Sequence, residues 1–350
     1  MKLNDDASMI SLLPPQDFKP IDDVLVDVFA RHNMGRLGGA SGRGWSSYAT
    51  FQRCPYLYKV KYIDRERGAP ALALETGSAF HTFMALHYTW MLDENLTLTP
   101  EVCREELLDN GARPEGVIAG WQCYDNYRMH YLDDYLYPLG IEEFAEGDHG
   151  NTCRYDLIAR VDKPQPGVVP GTYIIEHKTA ARFTMDLLQG WHNDGEILGQ
   201  IMVWKQAKLD KKYGKLRGTI VNIVGKQKKP QFERVIVPAQ AWHVREHTQD
   251  LQLWALYQQM CRTTGAWPRA RNNCISKFGM CDLFTHCSTN DKLTPLRRIE
   301  KVMKDAMTRT PEIDTATSPD GALASTETVR NMATADLPHG ADAATEGTEP

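Results

Sequence analysis

From residue 154 to 162 the chain alternates, with Tyr155, Leu157, Ala159 and Val161 on one side and Arg154, Asp156, Ile158, Arg160 and Asp162 on the other. A period of two is the mark of a strand. Residues 163–171 hold three prolines and two glycines and close a hairpin-like connection. A second strand follows over 172–179, made apolar by Tyr173, Ile174 and Ile175. The period lengthens on either side of this pair. Upstream, Ser46 or Ser47 can cap a helix through Tyr48, Phe51 and Cys54, and further helices run over 77–91 and 121–137. Downstream, an amphipathic helix covers 196–213, strands follow at 216–224 and 232–237, and a long helix spans 239–264.

The ends of the chain differ from this middle. Five glycines within 35–44 break any regular pattern, so 1–44 reads as a flexible N-terminal segment and a core domain as 45–290. A helical extension, 291–307, leads into 308–350, where Thr, Ala, Asp, Glu, Pro and Gly dominate. Too few large apolar side chains remain there to offset the entropy of ordering, and the stretch reads as a disordered tail. The 350 residues are 42% apolar, enough to bury one large core or two small ones. A net charge of -5 gives no bulk attraction to nucleic acid. Any such contact must use local basic stretches, either 205–215 with Lys208, Lys211 and Lys212, or Lys226, Lys228 and Lys229. Tyr56, Tyr58 and Tyr62, near Lys59 and Lys61, fit base stacking or core packing equally. Acidic residues at the N-terminus and the lack of a membrane-length apolar run point to a cytoplasmic protein without a membrane partner.

The chemistry concentrates on the strand pair. Period two puts Glu176 and Lys178 on one face of the second strand and His177 on the other. Charged side chains in so apolar a strand need a reason to be there. Asp162 ends the neighbouring strand, and two carboxylates at adjacent strand ends make a hard oxygen site for Mg2+ or Mn2+. The backbone carbonyl of His177 can supply a further ligand. Such an ion acts as a Lewis acid and activates water, while the lysine orients that water or stabilises developing phosphate charge. E-x-K alone is weak evidence, since alternating charges usually mark a solvated sheet face. His87, Glu75 and Asp156 lie near these residues and read as surface or supporting groups.

Eight cysteines in a reducing compartment are poor candidates for a disulfide framework. Cys54, followed by Pro55, stands far upstream of Cys274, Cys281 and Cys287, which are separated by six and five residues. Structural zinc favours shorter knuckles, but thiolate-rich sites take iron-sulfur clusters and zinc alike, so spacing alone leaves both open. Cys103, Cys123, Cys153 and Cys261 read as small buried apolar residues.

These elements together resemble the RecB-type branch of the PD-(D/E)XK nuclease superfamily, including AddB-like and CRISPR-associated exonucleases with an iron-sulfur cluster. The resemblance runs over about 45–290. It rests on SSYATFQRCP (46–55), GSAFH ending at His81, Asp162, Glu176-His177-Lys178, QIMVW from Gln200 to Trp204, and the cysteine triplet after Trp267-Pro268-Arg269. Val161 departs from the proline of the superfamily name, and Trp204 stands where many relatives have tyrosine.

The resemblance implies an α/β, restriction-endonuclease-like fold: a central mixed sheet flanked by helices, a helical N-terminal part and a Cys-rich C-terminal closure. It also implies a 4Fe-4S cluster on Cys54, Cys274, Cys281 and Cys287, and a Mg2+ or Mn2+ ion held by His81, Asp162, Glu176 and the carbonyl of His177. Lys178 and Gln200 would complete the catalytic group. The expected activity is DNA phosphodiester hydrolysis, as an exonuclease on single strands or ends in recombination, repair or phage and CRISPR-type processing. A helicase or recombinase would be the partner. The competing expectation is a non-catalytic, cluster-stabilised DNA-binding or scaffold subunit.

Overall fold

The computed structural model describes residues 18–32, 44–65, 71–276, 279–281, 283, 284 and 287. These lie within one unit, Met1–Ile299, and a second unit, Glu300–Pro350, lies outside the described residues. The expected helical extension (291–307) and tail (308–350) also fall outside them.

Five strands make the central sheet, in the order β1-β2-β3-β4-β5. β1 (Leu136–Glu146), β2 (Thr152–Val161) and β3 (Gly171–Ala180) form an antiparallel meander. β4 (Leu216–Gly225) pairs parallel to β3, and β5 (Phe232–Pro238) closes the sheet antiparallel to β4. A parallel neighbour needs a crossover, supplied here by α7 (Met185–Gly190), α8 (Gly195–Gln206) and α9 (Asp210–Tyr213). β3 and β4 are buried almost throughout, as strands covered on both faces must be. This is the α/β, mixed-sheet architecture expected from the sequence.

One face of the sheet is covered by α1 (Ile21–Arg31), α4 (Leu72–Leu92), α5 (Pro100–Asp109) and α6 (Pro114–His130). Proline at the first position starts both α5 and α6, where its missing N–H costs nothing. Gly120 lets α6 approach α4 closely, since a Cβ there would come 2.6 Å from the Ala79 Cβ. The other face carries α8, with α2 (Trp45–Arg53) and α10 (Ala241–Thr264) beside it. α2 turns at Cys54 into the short α3 (Pro55–Tyr58), where Phe51 and Tyr58 pack with Cys261 of α10 as a third apolar cluster. A small hairpin, β6 (Ile275–Ser276) and β7 (Gly279–Met280), follows α10.

Several sequence expectations are corrected here. Residues 1–44 are not uniformly a loose lead-in: α1 buries Ile21, Val24, Leu25, Val28 and Phe29 in the core. The helix expected over 121–137 ends at His130, and the residues from Leu136 belong to β1. The helix expected over 196–213 breaks after Gln206, where Lys208 takes a left-handed φ of 55°. Gly44, not Ser46 or Ser47, stands at the cap of α2.

Candidate active site

Glu176 and Lys178 point from β3 toward α8, which presents Glu196 and Gln200 one turn apart on the same face. Lys178 Nζ lies 2.6 Å from Glu176 Oε1 and 2.7 Å from Glu196 Oε2. Gln200 Nε2 donates to the other Glu176 oxygen at 2.5 Å, while its own Oε1 is buried without a partner among the described residues. The helix is held in place: Asp194 caps it by accepting from the Glu196 N–H, and the Tyr155 hydroxyl donates to the Gln200 carbonyl.

β2 supplies the second acid, and it is Asp156. The β2–β3 ladder closes at Leu157 opposite Ile175, and one step further the backbone N–H of His177 donates to Asp156 Oδ2 at 2.9 Å. The same oxygen lies 3.3 Å from Nδ1 of His81, reaching in from α4. His81, Asp156, Glu176, Lys178, Gln200 and Glu196 therefore meet where β2 parts from β3, with α4 and α8 on opposite sides.

Asp162 is not among them. It lies beyond the end of β2, its side chain is 59% exposed, and it pairs with Arg160 at 2.6 Å. In the hairpin register Val161 faces Gly171, whereas Glu176 falls opposite residue 156. Six residues of extended chain separate the two aspartates by about 20 Å. Asp162 therefore cannot share an ion with Glu176. The hairpin's own arithmetic carried the signal for Asp156: a turn centred near residue 166 brings 156 against 176. Glu196 had no such signal, because it arrives from a separate helix.

His177 points away from the site, as period two requires. Its Nδ1 accepts from Asn222 Nδ2 at 3.0 Å and its ring stacks on Tyr88. Burial drives its pKa down to about 3, so the ring is neutral. Only the His177 backbone can serve the site. Behind it, Arg234 binds both oxygens of Asp134 at 2.9 and 2.7 Å, the Tyr127 hydroxyl at 3.0 Å and the Asn222 side-chain carbonyl at 3.3 Å. This buried ion pair fixes β5 against the α6–β1 connection.

The electrostatics are those of crowded acids. Burial first, and then the charge of Asp156, push Glu176 up to about 8, against the pull of Lys178. Burial opposes ionisation of Asp156, but the charges of His81 and Lys178 outweigh it and hold that carboxyl well below its ordinary range. Burial likewise works against the charged His81 ring, yet Asp156 and Glu176 lift it to about 9. Lys178 is held charged in the same way, by Glu176 and Glu196 against burial.

Hard carboxylate oxygens, a histidine and an orphaned amide oxygen are a donor set that suits Mg2+ or Mn2+. Among the described residues, no three His, Cys, Asp or Glu side chains already form a coordination group.

Cys54, Cys274, Cys281 and Cys287 are brought together from the two ends of the core. All four thiols are free and line one cavity of about 210 Å³, together with Arg53 and Arg269. Backbone bonds hold its walls: Tyr56 N to Pro268 O at 3.1 Å, and Cys281 N to Cys274 O at 2.8 Å. Burial raises the Cys287 thiol, as do the other three cysteines, while Arg269 opposes them. The remaining cysteines lie elsewhere.

The basic stretches divide. Lys205 and Lys212 are ion-paired with Asp210 and Glu143. In the turn after β4, Lys226 bonds the Ala180 carbonyl through its N–H, three residues along the ladder from the Lys178–Ile223 pair. Lys226, Lys228 and Lys229 have no carboxylate within ion-pair distance among the described residues. Tyr58 and Tyr62 stack on each other, and Tyr58 is buried against Phe51, which favours packing over base stacking. No helix of the described residues is long and apolar enough to cross a membrane.

A comparison with curated proteins gives no match. Among solved structures, a protein of Eubacterium rectale provisionally described as an exonuclease is 13% identical, with 71% of this chain and 89% of that one covered and a TM-score of 0.45. The family model of the PD-(D/E)XK nuclease superfamily matches residues 45–288, from the first turn of α2 to just past the last clustered cysteine. Its span takes in both carboxylates, the lysine between the two glutamates and all four clustered thiols, and the chain belongs to the PD-(D/E)XK nuclease superfamily.

Proposed function

We propose that this nuclease is a Mg2+- or Mn2+-dependent deoxyribonuclease acting on single strands or DNA ends, with a 4Fe-4S cluster bracing its core. The observation that carries the reading is the meeting of Asp156, Glu176 and Lys178 at the point where β2 and β3 separate. His81, Asp156, Glu176 and the backbone carbonyl of His177 would hold the ion. When bound, it supplies Lewis acidity at the scissile phosphate and a lowered pKa for the attacking water. Gln200 orients Glu176 through its amide N–H. Lys178 brings a fixed positive charge to the side of the site facing α8, where it orients the nucleophile and offsets charge growing on the phosphate. Asn222 and Tyr88 clamp the His177 ring on the far face, which keeps the intervening backbone from rotating.

The four thiols around one cavity support the cluster. Thiolate ligands suit it, and hydrogen bonds already tie α2 and α3 to the segment carrying the triplet: the Tyr56 N–H donates to the Pro268 carbonyl and Asn273 Nδ2 to the Arg53 carbonyl. Bridging Cys54 to a triplet more than two hundred residues away would close a long loop and so restrain the unfolded chain. Action in recombination, repair or phage-type DNA processing, with a helicase or recombinase, follows from the resemblance to RecB-type enzymes.

The test is degradation of end-labelled single-stranded and duplex DNA by anaerobically purified protein with Mn2+ or Mg2+, alongside Glu176→Ala and Lys178→Ala. Loss in both variants is expected, and the labelled end reports polarity. Wild-type protein that binds DNA without cutting it would move the reading to a scaffold subunit.

A further inference from the structure

The face of α8 that meets the E-x-K strand carries a third carboxylate. Glu196 lies one turn before Gln200, and the pair engage the two ends of the motif: Glu196 takes Lys178, and Gln200 takes Glu176. The mount is rigid. The Glu196 N–H is bonded to the capping Asp194, Ile201 and Trp204 are buried beneath the helix, and the Gln200 carbonyl is tied to Tyr155. Lys178 Nζ sits between two carboxylates at nearly equal distance, 2.6 Å from Glu176 and 2.7 Å from Glu196, with the Trp191 ring 5.9 Å away.

This sharing matters once a cation competes for Glu176. A dication outbids an ammonium for the same oxygens, so binding removes one of the two partners of Lys178. Long lysine stems lose their geometry readily when one charge partner goes. We infer that Glu196 is a positioning residue for Lys178, keeping the ammonium beside the scissile phosphate while Glu176 turns to the metal. The inference rests on the metal-dependent reading above.

The two roles separate in a double-mutant cycle read by Mn2+ binding, with free Mn2+ followed by electron paramagnetic resonance. The proteins are wild type, Glu196→Gln, Lys178→Met and the double variant. With Glu196 neutralised, Lys178 transfers its whole attraction to Glu176 and competes with the ion. Glu196→Gln should therefore weaken Mn2+ binding at least about threefold when Lys178 is present, and by clearly less in the Lys178→Met background, the coupling expected of residues in contact. Any long-range effect of the lost charge is common to both backgrounds and cancels. Equal weakening in both would mark Glu196 as a ligand and overturn the inference, as would no change in the lysine-containing protein. Wild type that neither binds Mn2+ nor cuts DNA would instead overturn the nuclease reading itself. Glu196→Ala, at a half-buried position in the first turn of α8, provides a second cycle if the glutamine variant melts early.

Discussion

Asp156→Asn and Asp162→Asn make a paired perturbation with opposite expected outcomes. The Asp156 carboxyl accepts the His177 N–H at 2.9 Å, lies 3.3 Å from His81 and repels Glu176 strongly enough to help raise it to about 8. Asparagine keeps an acceptor for the His177 N–H, so the backbone should stay in place and the melting temperature should move by only a few degrees. What is lost is one of two full charges facing a dication. Removing a preorganised electrostatic group of this kind costs about 100-fold or more in turnover, roughly 3 kcal/mol of transition-state stabilisation. Asp162, exposed and about 20 Å away along the strand, pairs with Arg160. Its asparagine variant should cut DNA at the wild-type rate within about twofold, since such surface positions contribute little. The assay is initial-rate cleavage of a labelled oligonucleotide over a Mn2+ titration, with thermal melts run in parallel. An active Asp156→Asn protein, or an Asp162→Asn protein as impaired as Glu176→Ala, would refute the assignment.

Four further outcomes test other parts of the molecule. Arg234→Leu strands Asp134, whose side chain is 13% exposed, and should destabilise the fold by about 3–5 kcal/mol in denaturant titration. Cys281→Ser should lose the brown colour and near-visible absorbance of anaerobically purified protein and lower its melting temperature; an unchanged spectrum and melt would remove the cluster from the account. His247 is buried, its Nε2 has no partner among the described residues, and burial lowers its pKa from 6.5 to about 4. The unfolded chain therefore binds the proton first, and about 3 kcal/mol of stability should be lost as the pH falls from 6.5 to 4. A His247→Leu protein should lack that slope. Lys226→Ala, Lys228→Ala and Lys229→Ala together should reduce the slope of log DNA affinity against log salt by about 3, one for each phosphate left unneutralised. An unchanged slope would take this turn out of the DNA path.

β2 is readable from period two, β3 and β4 from continuous apolar runs, as strands covered on both faces carry, and the β2–β3 hairpin from the proline-rich turn. β1 is not: its burial alternates poorly, and it follows a helix with similar composition. α1 is hidden because its apolar stripe sits between stretches without regular pattern.

Glu176 and Lys178 can be placed on one face from the sequence alone, because neighbours at i and i+2 on a strand need no tertiary information. The four clustered cysteines stand out by their position at the two ends of the core, and the structure gathers them around one cavity. The partner acid is Asp156 and not the expected Asp162, because closeness to the end of a strand is a weaker guide than register across the hairpin. Register is a property of two strands, and it sets residue 156, six positions before Asp162, opposite Glu176. The approach of His81 from α4, the two-handed grip of α8 on Glu176 and Lys178, and the clamp of Asn222 on His177 depend on how helices from distant stretches pack on the two faces of the sheet. The sequence by itself determined the candidates Glu176, Lys178, His81, Gln200 and the four clustered cysteines and the local period that carries them, but it passed over Asp156 and Glu196. Packing across long sequence separations decided which of them meet, because side-chain convergence is set by burial of whole faces and leaves no mark in any single segment.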